Sequence, residues 1–154
     1  NTEGLRSLQL PENLVNLLSK LKERQEYLSK KYSYKPLLVK ISPDLLKEEL
    51  EKLLLTLKEL NIDGVIATNT TTEHSYTKEA GGLSGKPLYK KSTQTIRNIR
   101  GVLGKNFPII ASGGVMDKET FEGKLEAGAD LVQIYTGMIY RGPELIQELL
   151  DLEN

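Results

Sequence analysis

The chain has 154 residues, enough for one ordinary domain with a core of its own. Lysine plus arginine balances aspartate plus glutamate at 21 each, so the charge gives no argument for nucleic acid or an acidic membrane surface as a partner. With no cysteine and a single histidine, disulfides, thiolate chemistry and a multi-histidine metal centre are excluded within it.

Leu14, Leu17, Leu18, Leu21 and Leu28 recur at helical spacing among lysines and glutamates. They predict an amphipathic helix whose leucine stripe packs on a sheet. Tyr32-Ser33-Tyr34-Lys35-Pro36 reads as a linker, and Leu37-Leu38-Val39-Lys40-Ile41 as a buried strand with one charge near its C-terminal end. A lysine in an apolar strand is costly unless it meets an anion or reaches water at the sheet rim. Active sites of parallel α/β folds sit at the C-terminal strand ends, which makes Lys40 a candidate site residue. After the turn Ser42-Pro43-Asp44, Leu46, Leu50, Leu53, Leu54, Leu57 and Leu60 mark the inner face of a second helix. Asn61-Ile62-Asp63-Gly64 turns the chain back, and Val65-Ile66-Ala67-Thr68 predicts the next strand. Its tip, Asn69-Thr70-Thr71-Thr72, offers amides and hydroxyls that can bond a polar ring or cap their own turns.

A polar loop then runs to Leu88 and contains Gly81-Gly82-Leu83-Ser84-Gly85-Lys86-Pro87, a shaped loop whose N–H groups can touch an anion. His74 lies in this loop without an evident orienting partner and is read as a surface residue rather than an acid or base. Ser92 is expected to cap a helix through Ile96, Ile99, Val102 and Leu103, ended by Gly104. Phe107-Pro108-Ile109-Ile110-Ala111 predicts a third strand, and Ser112-Gly113-Gly114 follows at once. Paired glycines expose bare backbone N–H groups. The next helix, capped by Asp117 and with Phe121, Leu125 and Ala127 on its inner face, is expected to add its own unpaired N–H groups and positive dipole end. Gly128 stops that helix, and Asp130-Leu131-Val132-Gln133-Ile134-Tyr135 predicts a fourth strand with Thr136-Gly137 as its polar tip. Gly142-Pro143 opens a last helix.

Strands that alternate with helices predict parallel pairing, which brings every polar tip to one edge. Small and hydroxyl residues at the ends of two adjacent strands match the phosphate site of a (β/α)8 barrel, after strands seven and eight. The alternative is that the glycines only make tight turns. Four strands cannot close an eight-stranded barrel, so a piece of a longer protein is expected, with open edges that make the isolated segment self-associate. A small doubly wound sheet is the other candidate fold, but the chain lacks a Gly-x-Gly-x-x-Gly fingerprint.

Taken as an ordered set, Asn1-Thr2-x-Gly4-Leu5-Arg6, Val39-Lys40-Ile41-x-Pro43-Asp44-Leu45, Thr68-Asn69-Thr70-Thr71, Gly81-Gly82-Leu83-Ser84-Gly85-Lys86-Pro87-Leu88, Pro108-Ile109-Ile110-x-x-Gly113-Gly114-Val115 and Leu131-Val132-Gln133-Ile134-Tyr135-Thr136 resemble dihydroorotate dehydrogenase, most closely its class 2, quinone-linked branch. The resemblance covers essentially the whole chain. It implies that residues 1–154 are the C-terminal half, strands five to eight, of a single FMN-binding (β/α)8 (TIM) barrel domain. The activity it implies is oxidation of dihydroorotate to orotate in pyrimidine biosynthesis, with electrons passed to a quinone. On this resemblance the FMN contacts fall on Lys40, Thr68, Ser84, Gly85, Gly113, Gly114, Tyr135 and Thr136, and the orotate contacts on Asn1, Asn69 and Thr70. The base of this branch is a serine expected two positions before Asn1, so no catalytic base is assigned within the chain, and no metal. The isolated segment is accordingly expected to be inactive. The resemblance further implies that the quinone and membrane sites lie in an N-terminal segment. The complete protein is then peripheral on the bacterial cytoplasmic membrane, or on the mitochondrial inner membrane in a eukaryote. The competing readings are another phosphate-binding barrel enzyme and a non-catalytic half-barrel that pairs with itself.

Overall fold

A computed structural model describes Leu8 and residues 11–150. Its element order is α1 (Pro11–Ser29), β1 (Leu38–Ile41), α2 (Lys47–Glu59), β2 (Gly64–Ala67), α3 (Tyr89–Leu103), β3 (Ile109–Ser112), α4 (Lys118–Glu126), β4 (Leu131–Gln133), α5 (Thr136–Arg141) and α6 (Glu144–Leu150), with a 3₁₀ turn, Lys86–Leu88, leading into α3. The strands form one parallel sheet in the order β1-β2-β3-β4.

Side-chain alternation along the strands divides the sheet into two unlike faces. Ile41, Ala67, Ala111 and Val132 lie in register on one face, with Val39, Val65 and Ile109 one step behind. These residues pack with Leu14 and Leu18 of α1, with Leu50, Leu53, Leu54 and Leu57 of α2, and with Ile96 and Ile99 of α3 in the main core. The opposite row, Lys40, Ile66, Ile110 and Leu131, joins no core cluster among the described residues, and Leu131 is 63% exposed. A doubly wound sheet carries helices on both faces. Here they cover one face only, so the sheet is a partial wall of a (β/α)8 barrel, as the strand order predicts.

Several local expectations change in the folded chain. β1, β3 and β4 are shorter than the predicted runs, and β2 keeps four residues but starts one earlier, at Gly64. In α1 the leucine stripe is only half used: Leu14 and Leu18 are buried, while Leu17 and Leu21 remain exposed. Leu46 is no inner-face residue: it precedes α2, its N–H donates to Glu49 Oε2 (2.9 Å), and its side chain is exposed. Ser92 is no cap. The preceding 3₁₀ turn lets α3 begin at Tyr89, which puts Ser92 in its first full turn, completely buried. On α4 the inward residue is Lys124, whereas Leu125 is 41% exposed. Thr136-Gly137, read as a loop tip, is the first turn of α5, which ends at Gly142 before Pro143 leads into α6.

Candidate functional site

The C-terminal strand ends share one edge, and loop anchoring decides what gathers there. β2 is followed by Thr68, whose N–H donates to Ser112 O (2.8 Å) while Asn69 N–H donates to Ile41 O (2.8 Å). The tip therefore lies between β1 and β3. Two residues on, Thr71 and Leu83 exchange backbone hydrogen bonds (3.1 and 2.8 Å) in an isolated antiparallel bridge. That bridge returns the long polar loop to the edge and delivers Ser84 and Gly85. Thr136 Oγ1 then donates to Ser84 Oγ (2.9 Å), which joins this loop to the end of β4.

Gly113 and Gly114 occupy φ values of 110° and 83°, a region that residues with a Cβ avoid. Space forbids a side chain as well, since a Cβ on Gly114 would lie 2.5 Å from Tyr89 Cα. The Gly113 carbonyl accepts from Ser92 Oγ (2.9 Å). One N–H of the N-terminal turn of α4, that of Thr120, is already taken. The Asp117 carboxylate already accepts from Thr120 N (2.9 Å) and Thr120 Oγ1 (2.7 Å), as its reading as a cap predicts. These hydrogen bonds, the largest influences on it, hold the Asp117 carboxyl below its usual pKa.

The result is one cavity of about 410 Å³ over the strand ends, lined by Lys40, Thr68, Asn69, Thr70, Ser84, Gly85, Leu88, Ser112, Gly113, Gly114, Val115, Gln133, Ile134, Tyr135 and Thr136. Ten of these residues are site candidates from the sequence, drawn from five separate stretches of chain. Asn1, the remaining candidate, lies outside the described residues. His74, read as a surface residue, is half-buried and does not line the cavity. Lys40 is exposed and makes no ion pair with any described residue. It projects from the face without helices, so its ammonium is available to a bound anion.

A second set of residues holds this edge in place and was missed in the sequence. Asp44, read there only as part of a turn, has a side chain 1% exposed and accepts from Lys91 Nζ (2.5 Å), Thr71 Oγ1 (2.5 Å), Thr72 N (2.9 Å) and Thr72 Oγ1 (3.1 Å). Burial alone would raise the pKa of this carboxyl, but the hydrogen bonds from Lys91, Thr71 and Thr72 outweigh it and hold the pKa at about 2. Lys91 also pairs with Glu73 (2.5 Å). The clamp fixes the chain immediately after Asn69-Thr70. Gln133, Ile134 and Ser112 also line the cavity without having been singled out.

A family model described as dihydroorotate dehydrogenase matches residues 1–152. The chain belongs to the dihydroorotate dehydrogenase family. A relative named dihydroorotate dehydrogenase (quinone) from Dichelobacter nodosus is 52% identical over 97% of this chain and 46% of its own length. Another of that name, from Aliivibrio salmonicida, is 47% identical over 98% of the chain and 47% of its length. Among solved structures, the Eimeria tenella DHODH crystallised in complex with ferulenol superposes with a TM-score of 0.90 at 34% identity, covering 98% of this chain and 46% of that one. The chain spans about half the length of the curated relatives it matches. The superposition over 98% of this chain shows that its fold is shared with a segment of that structure.

Proposed function

We propose that the chain forms the flavin-facing and substrate-facing half of a quinone-linked dihydroorotate dehydrogenase, which oxidises dihydroorotate to orotate with FMN as the first electron acceptor. The observation that carries this reading is the convergence of Lys40, Thr68, Asn69, Thr70, Ser84, Gly85, Gly113, Gly114, Tyr135 and Thr136 on one cavity. The donor set suits FMN: the N–H groups of the glycines and of the Tyr135-Thr136 tip for a phosphate, an unpaired ammonium for a ring that gains negative charge, and polar side chains for a second ring.

Bound FMN supplies a flavin ring that accepts a hydride from the dihydropyrimidine. The chain's residues bind and orient both partners. Gly114 N–H and Thr136 hold the phosphate, and the Ser84–Thr136 hydrogen bond keeps the Gly85 loop against it. Lys40 sets a fixed cation beside the pyrimidine edge of the flavin, where it favours the reduced form. Asn69 offers both a donor and an acceptor to the amide edge of the substrate, with Thr70 beside it. Holding two rings face to face is the main catalytic contribution of such a site. No base is assigned to this chain, and the Ser84 hydroxyl is engaged by Thr136. The quinone and peripheral membrane sites belong, on this reading, to the N-terminal part of the complete protein. Among the described residues no helix is long and apolar enough to cross a membrane.

The test is anaerobic titration of the purified complete protein with dihydroorotate. The expected result is a flavin absorption band that bleaches on addition of substrate and reappears with a quinone. In Lys40→Met the bleaching slows by about 10²-fold, the usual loss for one preorganised electrostatic group. A colourless protein, or a flavin band indifferent to dihydroorotate, refutes the reading.

A further inference from the structure

Lys124, on α4, is the largest fully buried side chain among the described residues. Its ammonium has no carboxylate partner there, and a buried charge without a counter-ion is costly. It lies over the Tyr89 ring, 4.8 Å from the centroid, and donates to Ser92 Oγ (2.5 Å), Thr93 Oγ1 (2.8 Å) and, more weakly, Tyr89 O (3.4 Å). Burial first, and the like charge of Arg97 second, hold its pKa down to about 7. Methionine would fill the same space without that penalty, so packing alone does not account for an ammonium here.

The hydrogen bonds lead to a specific peptide. An ammonium has only protons to give, so Ser92 Oγ accepts from Lys124. The single hydroxyl proton of Ser92 is left to choose between Tyr89 O at 3.2 Å and Gly113 O at 2.9 Å. The nearer acceptor, Gly113 O, is thereby held toward α3. In a planar trans peptide the following N–H points the opposite way, so the Gly114 N–H is turned from α3 toward the cavity that Gly113 and Gly114 line. Ammonium, hydroxyl and peptide form a line of aligned dipoles with positive charge at its buried end. Each link polarises the next, which strengthens the N–H at the far end as an anion donor.

We propose that Lys124 is a positioning residue for the phosphate grip, acting through Ser92 to orient and polarise the Gly113–Gly114 peptide. The proposal rests on the reading of that peptide as a phosphate contact and adds to it the group that sets its direction.

The experiment compares FMN with riboflavin, which lacks the phosphate, by fluorescence titration of the apo form of the complete protein. Lys124→Met is expected to weaken FMN binding by about tenfold, equivalent to 1.4 kcal/mol, and to leave riboflavin binding unchanged. Ser92→Ala is expected to do the same, and the double variant to lose no more than either single one. If Lys124→Met does not fold, Ser92→Ala carries the same comparison because it breaks the same chain of bonds. Equal losses for both ligands, or no loss, overturn the proposal in favour of a purely structural lysine. Additive losses overturn the route through Ser92. A wild-type protein that binds riboflavin as tightly as FMN removes the phosphate reading itself, an outcome distinct from those three.

Discussion

Replacing Asp44 tests whether the candidate site is built on its clamp or merely lies near it. The carboxylate is buried and receives four hydrogen bonds, from Lys91, Thr71 and Thr72. A pKa of about 2 in place of 3.8 corresponds to about 2 kcal/mol of stability at neutral pH. The sign follows from a depressed carboxyl pKa. The contribution is complete above pH 3.8, where the unfolded chain is ionised, and is lost as pH falls through about 2. Asp44→Asn keeps the volume but removes the charge and turns an N–H group toward existing donors. The expected loss is about 2–4 kcal/mol, below the upper range for a broken buried pair because Lys91 is 32% exposed and retains Glu73. Urea denaturation of the complete protein gives that number, and a double-mutant cycle with Lys91→Met isolates the pair, with a coupling of about 1–2 kcal/mol expected. The functional consequence is specific to one ligand. Orotate affinity should fall at least fivefold, about 1 kcal/mol, because Thr71 and Thr72 follow directly on Asn69-Thr70, while FMN content stays near one per chain. A coupling below about 0.3 kcal/mol, or an orotate affinity that survives Asp44→Asn, refutes the reasoning.

Three further outcomes follow from other parts of the structure. Gly114→Ala forces a Cβ to within 2.5 Å of the Tyr89 backbone at a φ of 83°; it should cost about 1–3 kcal/mol in thermal or urea unfolding and leave the purified protein depleted of FMN. Lys124 has a folded pKa of about 7 against 10.5 unfolded, so the unfolded chain binds more protons between those values. Its burial penalty is therefore full below pH 7 and relieved as pH rises toward 10.5. Lys124→Met should raise the unfolding midpoint at pH 6, gain less at pH 9, and still bind FMN more weakly; a variant less stable at pH 6 contradicts this. The isolated 154-residue segment exposes the Lys40, Ile66, Ile110 and Leu131 row and two sheet edges. It should sediment as dimers or larger species, and a monomer at micromolar concentration contradicts the expectation.

The features legible in the sequence are those that depend on local pattern. Four short apolar runs followed by helices dictate parallel strands, and parallel strands place Lys40, Asn69, Gly113-Gly114 and Thr136 on one edge wherever the boundaries fall by a residue or two. Capping by Asp117 was legible because the motif spans only three residues. The polar anchors were not. Asp44 and Lys91 are 47 residues apart, and nothing in either stretch announces the other. Lys124 precedes Leu125 in a helix whose inner face reads as Phe121, Leu125 and Ala127, and only the tertiary arrangement turns the lysine inward. Ser92 was misread for a related reason. Serine near a helix start is a good cap, but here a 3₁₀ turn begins the helical path earlier and puts the hydroxyl to another use.

Those anchors share a location, which ties several loops of the site edge to one helix start. The first two turns of α3 reach three loops at once: Tyr89 packs against Gly114, Lys91 reaches Asp44 and Glu73, and Ser92 reaches Gly113. A helix start of this kind cannot be capped by a side chain of its own, and none caps it. Its entry is set instead by the Lys86–Leu88 turn, in which Leu88 N–H donates to Gly85 O (3.0 Å). Gly85 in turn packs on Thr136, at the end of the last strand. The phosphate-side glycines and, through Asp44, the loop after the substrate-side asparagine are thus tied to the start of α3, and the hydroxyl of α5 joins them through the Ser84-Gly85 loop. Changes at Lys91 or Asp44 should reach the substrate side and changes at Ser92 or Lys124 the phosphate side, whereas displacing the start of α3 as a whole should disturb cofactor and substrate binding together.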